Sequence, residues 1–162
     1  MGGFFGAVSR KNCKYDVFFG TDYHSHLGTK RGGLAFYDEA KGFDRQIHNI
    51  TNTPFRTKFE GDLAKMDGTA GIGVISDTDP QPLLVRSHLG MFAIANVGLI
   101  NNAEQIVAET FAAPGHYFMA MSSGKVNDAE LIAALINRCD NLVDGIKYAQ
   151  ELIEGSCTIL LL

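Results

Sequence analysis

The segment AGIGVISDTDPQPLLVRSHLGMFAIANVGLI, residues 70–100, sets the architecture of the chain. It holds three apolar or β-branched runs, AGIGVIS (70–76), PLLVRS (82–87) and MFAIANVGLI (91–100). The breaks between them, DTDPQP and HLG, are made of residues that favour turns. So many strands in so short a span suggest sheet layers rather than a bundle of helices.

The flanking sequence supplies the helices. Upstream, a first strand is expected over Gly3–Ser9, followed by a helix within KNCKYDVFFGTDYHSHLG (11–28) that stops at Gly28. Leu34–Tyr37 and Phe43–Ile50 then form a hairpin around Gly42, and FEGDLAKMDG (59–68) is a short helix closed by Gly68. Downstream, helices are expected over NNAEQIVAETFAA (101–113), NDAELIAALINRC (127–139) and NLVDGIKYAQELIEG (141–155), before a last strand in GSCTILLL (155–162). The first of these begins on an Asn able to cap it; the second begins at Asn127 or Asp128 with Glu130 placed as in a capping box. Antiparallel-type strands with helices in blocks favour an α+β fold of two sheets covered by helices over a parallel βαβ sheet.

At 162 residues, 46% hydrophobic and 20% charged, the chain suits one domain with one substantial core, spanning 1–162. A net charge of -4 and scattered Lys and Arg argue against nucleic acid as a partner. No apolar run is long enough to span a membrane and no signal peptide is recognisable, so the expectation is a cytoplasmic protein with no membrane partner. Three cysteines, Cys13, Cys139 and Cys157, are widely spaced without a CxxC pair, which fits reduced thiols rather than a disulfide framework or a zinc site. GSCTILLL has the character of a buried strand with no polar tail, so the chain is expected to continue past Leu162 into another domain.

Individually, the polar motifs are weak. His24 and His26 stand two apart, which on a helix points them to different sides, and no matching cluster supports a metal site. TKRGG (29–33) can cradle a phosphate but is more simply a helix exit and tight turn.

Taken in order, however, the motifs resemble the N-terminal glutaminase domain of class II glutamine amidotransferases, the Ntn hydrolases, and among them the amidophosphoribosyltransferases of purine synthesis. The family opens Met-Cys-Gly-apolar-apolar-Gly; this chain has Met1-Gly2-Gly3-Phe4-Phe5-Gly6. The family's His-Arg-Gly becomes Lys30-Arg31-Gly32. Its Gly-His-x-Arg segment, leading to Thr and Gln-Pro, is similar to IGVISDTDPQP, with Thr78 and Gln81-Pro82 kept. The Arg position falls on Ile75, or on Ser76 when counted forward from Gly73, and neither register supplies an Arg. The Asn-Gly motif matches Asn96-Val97, with Leu99 and Asn101 also kept, and the Ser-Asp-x-Glu helix start matches Asn127-Asp128-Ala129-Glu130. The resemblance covers essentially the whole chain.

The resemblance implies a four-layer αββα sandwich and a precise chemistry. In the family, the N-terminal Cys attacks the glutamine amide with its own α-amino group as base. Asn and the following backbone N–H form the oxyanion hole, the Arg binds the substrate carboxylate as a two-pronged donor, and the Asp holds the α-ammonium. On this chain the catalytic positions are Gly2, where the nucleophile is missing, Asn96 and Val97; the substrate-binding positions are Arg31, Ile75, where the Arg is missing, Thr78 and Asp128. No cofactor and no metal are expected in this domain.

Gly2 offers no nucleophilic atom, and Val97 adds a branched side chain where easy access to positive φ is lost. Cys13 is the nearest thiol in sequence, without an evident base. A single engineered change at the nucleophile would not also remove the Arg, the His and the Gly, which favours a natural pseudo-glutaminase. Its expected partners are glutamine or a related small molecule and a C-terminal phosphoribosyltransferase-like domain of the same chain, in a full-length protein that is a homo-oligomer. The alternative is a working amidophosphoribosyltransferase with an unusual nucleophile. A different Ntn amide hydrolase would need Cys, Ser or Thr at the mature N-terminus, and none stands there.

Overall fold

A computed structural model describes residues 2–28, 30–112, 117–119, 121–122 and 124–162. Met1 of the opening motif and Ala113 at the end of an expected helix lie outside them. In chain order the first half comprises β1 (Gly2–Val8), α1 (Lys14–Tyr23), β2 (Arg31–Asp38), β3 (Gly42–Asn49), α2 (Phe55–Leu63) and β4 (Ala70–Ser76). The second comprises β5 (Leu83–Ser87), β6 (Gly90–Ile100), α3 (Ala103–Thr110), β7 (Met121–Ser122), β8 (Lys125–Val126), α4 (Asp128–Ile136), α5 (Leu142–Leu152) and β9 (Gly155–Leu161). A 3-10 turn, Ser25–Leu27, follows α1.

All strand pairs are antiparallel, in one sheet ordered β1-β4-β2-β3, a second ordered β5-β6-β9 and a small β7-β8 ribbon. Side chains alternate across a strand, and the apolar pattern uses both faces. On one face of the first sheet Leu34, Phe36 and Ile75 join Val17 and Phe18 of α1 and Phe55, Phe59 and Leu63 of α2. On its other face Ala35, Ile72 and Val74 meet Ala93 and Ala95 of β6, flanked by Phe4 and Leu160. The far face of the second sheet, through Phe92 and Ile94, packs on Ile106 of α3, Leu131, Ile132 and Leu135 of α4, and Ala149 of α5. Three apolar layers thus separate four structural ones, in the order helix, sheet, sheet, helix. Each fully buried aromatic, such as Phe36, Phe55 or Phe59, contributes about 1.5–3 kcal/mol from its burial.

The alternating glycines of AGIGVIS are explained by α1. A β-carbon on Gly71 would enter the Phe36 ring and crowd Val17, and one on Gly73 would collide with the Thr21 hydroxyl. Thr21 is fully buried and its hydroxyl donates to the Val17 carbonyl oxygen at 2.6 Å, so the helix lies directly on a bare strand backbone.

Several boundaries differ from the sequence expectation. The second helix starts at Phe55 rather than Phe59 because Pro54 immediately precedes it, a residue pre-set to begin a helix. The helix expected to 113 is α3, ending at Thr110. Its flanking Asn102 makes no side-chain cap bond; instead its amide donates to the Leu152 carbonyl at 2.8 Å and its oxygen accepts from the Glu154 N–H at 2.9 Å, tying off α5. The capping start of α4 is formed by Asn127, whose oxygen accepts from Ala129 N–H at 2.9 Å.

Candidate functional site

The strand register brings the start of the chain to the site. Gly2 of β1 pairs with Ser76 of β4, Ser76 also pairs with Arg31 of β2, and Arg31 pairs with Asn49 of β3. By alternation, this row shares the face of Ile72, Val74 and Ala35 and looks into the gap between the sheets. The next row, Gly3, Ile75, Gly32 and His48, looks toward α1 and α2. Ile75 is accordingly fully buried in the helix-side core. Of the two possible registers for the absent Arg, only the one ending at Ser76 lies on the gap side. Ser76 is itself 6% exposed and its hydroxyl accepts from the Thr78 N–H at 3.1 Å, which folds the loop after β4 back on the strand end.

That loop closes one side of an open cleft. Its walls come from the start of β2, the loop 77–80, the end of β6 and the starts of α3 and α4, and its lining includes Arg31, Asn49, Thr78, Asp79 and Asp128. The structure therefore brings Arg31, Thr78 and Asp128 together. Asn96 and Val97 are not among the residues that line it.

Asn96 is 4% exposed and held internally. Its backbone N–H donates to the Gln81 side-chain oxygen at 2.6 Å, and its own side-chain oxygen accepts from the Cys157 thiol at 3.4 Å. Val97 packs in the layer between the sheets. Gly2 stands at the end of its strand beside Ser76, and a β-carbon built on it would run into the backbone carbonyl oxygen of Ile75.

The acidic wall is built around the N-terminus of α4. Asn127, fully buried, donates to the Pro80 carbonyl at 3.1 Å and so fixes the helix start against the loop 77–80. This places Asp79 within 3.4 Å of the Asp128 N–H. Burial, reinforced by the charge of Asp79 and opposed by Lys125, pushes the Asp128 carboxyl up to about 6. Burial and the Asp128 charge push the Cys157 thiol up to about 11, and burial also raises that of Cys13. Neither is a thiolate at neutral pH.

Asp79 and Asn49 were not among the candidates read from sequence. Asp79 lay within a turn motif and Asn49 at the end of a hairpin strand, and only the register and the placement of α4 reveal that they line the same space. Among the described residues, no group of three or more His, Cys, Asp or Glu side chains is placed to hold a metal ion.

No protein-family model matches the chain. Across 174 aligned positions it is 26% identical to the amidophosphoribosyltransferase of Methanocaldococcus jannaschii, covering 100% of this chain and 36% of that protein. Its structure superposes on the glutamine phosphoribosylpyrophosphate amidotransferase of B. subtilis, solved with ADP and GMP, with a TM-score of 0.83 and 25% identity over 100% of this chain and 35% of that one. A structure described as the allosteric regulatory enzyme of purine biosynthesis matches equally, at TM-score 0.83 and 25% identity. The chain thus spans about a third of the length of these relatives. It is homologous to amidophosphoribosyltransferases and takes the Ntn-hydrolase-type fold of their N-terminal glutamine amidotransferase domain.

Proposed function

We propose that this chain is the glutaminase-like domain of an amidophosphoribosyltransferase-related protein in which hydrolysis of glutamine has been lost, leaving a cleft that binds a small ligand without cleaving it. One observation carries the proposal: position 2 has neither a nucleophile nor room for one. Gly2 brings no reactive atom, and the direction its side chain would take is filled by the Ile75 carbonyl. A covalent acyl-enzyme cannot form without an attacking group.

The remaining machinery supports the same conclusion. Asn96, the candidate oxyanion donor, is buried and is not among the residues that line the cleft, and its side-chain oxygen is held by the Cys157 thiol. Loss of one such donor costs about 3 kcal/mol of barrier in acyl transfer. The thiols offer no replacement, since Cys13 is fully buried and both Cys13 and Cys157 are raised by burial. In this account the relatives' additional length corresponds to a phosphoribosyltransferase-like domain, which, if active, uses free ammonia. The glutaminase-like domain then acts as a scaffold or sensor for it.

Calorimetric titration with L-glutamine, with L-glutamate and L-asparagine as controls and ammonia followed in the same samples, tests the proposal. Saturable binding without ammonia agrees with it. Catalytic release of ammonia from L-glutamine contradicts it.

A further inference from the structure

We propose that the outer face of α1 docks a proline-rich segment of a partner protein, with its prolines along the rings of Tyr15, Phe19 and Tyr23 and a basic side chain held by Glu60. This face is separate from the cleft. The helices α1 and α2 cover the first sheet on the side of Leu34, Phe36 and Ile75, whereas Gly2, Ser76 and Arg31 look into the gap between the sheets.

Tyr15, Phe19 and Tyr23 stand four residues apart on α1, a spacing that sets them in one row along the helix. They are 60%, 51% and 76% exposed, although Val17, Phe18 and Thr21 of the same helix are buried. The Tyr15 and Phe19 rings lie nearly parallel, with centroids 6.3 Å apart. Single exposed apolar residues are ordinary, but a contiguous aromatic row marks an interaction surface. Beside the row runs a groove of about 370 Å³, walled by Tyr15, Phe18 and Phe19 of α1 and by Arg56, Glu60 and Leu63 of α2.

Charge decides the sign of the occupant. Arg56 is neutralised by Asp22 at 2.6 Å, with its guanidinium 5.6 Å from the centre of the Phe19 ring, and Lys14 is neutralised by Asp67 at 3.1 Å. Glu60 stands one helical turn beyond Arg56, yet Arg56 is turned to Asp22, and Glu60 makes no hydrogen bond or ion pair with any described residue. Among the described residues, the uncompensated charge of the groove is therefore negative. A partner that complements it brings a cation.

Shape selects the backbone. The row rises about 12 Å along α1 at about 1.5 Å per residue. A polyproline II segment advances about 3.1 Å per residue with three residues per turn, so four or five residues cover the row and the next turn reaches the groove. Such a segment is preformed, loses little entropy on binding and docks on aromatic surfaces. It leaves its own carbonyls without internal partners, and the hydroxyls of Tyr15 and Tyr23 supply donors for them. The four prolines of residues 1–162, Pro54, Pro80, Pro82 and Pro114, make no run of this kind, so the segment does not come from this stretch of chain.

Fluorescence anisotropy with the labelled peptide Arg-Ala-Pro-Pro-Ala-Pro-Pro-Ala-Pro tests the proposal against two control peptides, one with Glu in place of the Arg and one with Gly in place of every Pro. The wild-type protein is expected to bind the first peptide saturably at micromolar concentration and both controls more weakly. Tyr15→Ala and Tyr23→Ala, which remove exposed rings, should each weaken binding by about 10-fold, as for an aromatic anchor. Glu60→Gln should weaken it by about 2–5-fold and reduce the preference for Arg over Glu in the peptide. Circular dichroism, expected to be unchanged, guards against a folding artefact. Failure of the folded wild type to bind up to millimolar peptide overturns the proposal, as does equal affinity for the Pro and Gly peptides or equal affinity in the tyrosine variants. Sedimentation velocity reads the competing occupant. Dimerisation that Tyr23→Ala removes gives the face to a second copy and overturns the proposal, whereas an association state that the tyrosine variants leave unchanged agrees with it.

Discussion

The backbone carbonyl oxygen of Ile75 lies where a β-carbon on Gly2 would have to stand, because the two strands that carry them pair Gly2 with Ser76 and Gly3 with Ile75. The glycine at position 2 is therefore fitted to its surroundings as well as chemically silent. Restoring the cysteine alone is predicted to fail. Gly2→Cys should release no ammonia from L-glutamine and should lose about 1–3 kcal/mol of stability, the usual cost of forcing extra atoms into a packed position. An ammonia assay beside a denaturant titration measures both. Substantial glutaminase activity in this single variant would show that the rest of the site is intact.

Asp128 makes stability depend on pH. Its carboxyl titrates at about 6 in the folded protein against an ordinary value of 3.8. The raised value means that the fold prefers the protonated acid. The stabilising contribution is complete below about pH 4 and is lost as the pH rises through 6. At neutral pH the ionised carboxylate, repelled by Asp79, is a net cost of about 1–2 kcal/mol after allowance for solvent screening. Asp128→Asn keeps the size and removes the charge. Its Tm should rise by about 3–6 °C at pH 7.5 and by much less at pH 4. An equal gain at both pH values would assign the effect to something other than this carboxyl.

Under the proposed function, the same group should set the pH dependence of ligand binding. Only ionised Asp128 attracts an ammonium group, so L-glutamine affinity should fall as the pH is lowered through about 6, with Asp79, Lys125 and Cys157 the neighbouring titratable groups. Calorimetry between pH 5 and 8 reads this directly. In Asp128→Asn the slope should disappear.

The close seating of α1 gives a prediction about packing. Gly73→Ala drives a methyl group into the Thr21 hydroxyl and against Leu34, and should cost about 1–3 kcal/mol. Gly61, in the exposed middle of α2, has nothing within 4 Å of an added β-carbon. Gly61→Ala should instead add about 0.5–1 kcal/mol through helix propensity and the restricted unfolded chain. Thermal unfolding of the pair separates packing from propensity.

Much of the fold was legible in the sequence because its strands alternate cleanly. Leu34, Phe36 and Ile75 on one face and Ile72 and Val74 on the other are the two periods of a sheet buried on both sides. The start of α2 at Phe55 follows directly on Pro54, one turn ahead of the apolar pattern that marks the helix in sequence. Asn102 followed the rule for a cap, yet its side chain satisfies the end of a helix some fifty residues away, which no local rule contains.

The site was legible only in part. Motif order named Arg31, Thr78 and Asp128, which line one cleft, but one-residue register shifts exchange the faces of a strand. Counting alone could not choose between Ile75 and Ser76. The cross-strand pairing of Gly2, Ser76 and Arg31 determines the faces, and it is a long-range property. The acidic neighbour of Asp128 was hidden for a similar reason: Asp79 reaches it through the Asn127–Pro80 hydrogen bond that docks the loop on the start of α4.

The central claim is that the cleft receives an amino acid and leaves its amide intact. Its most direct test is NMR of L-glutamine labelled with nitrogen-15 at the side-chain amide, incubated with the protein. Line broadening or a shift of the amide signal, with the nitrogen retained in glutamine over hours and no ammonium resonance above a protein-free control, is the predicted result. A growing ammonium signal that scales with protein concentration would contradict the account and return the chain to the working glutaminases.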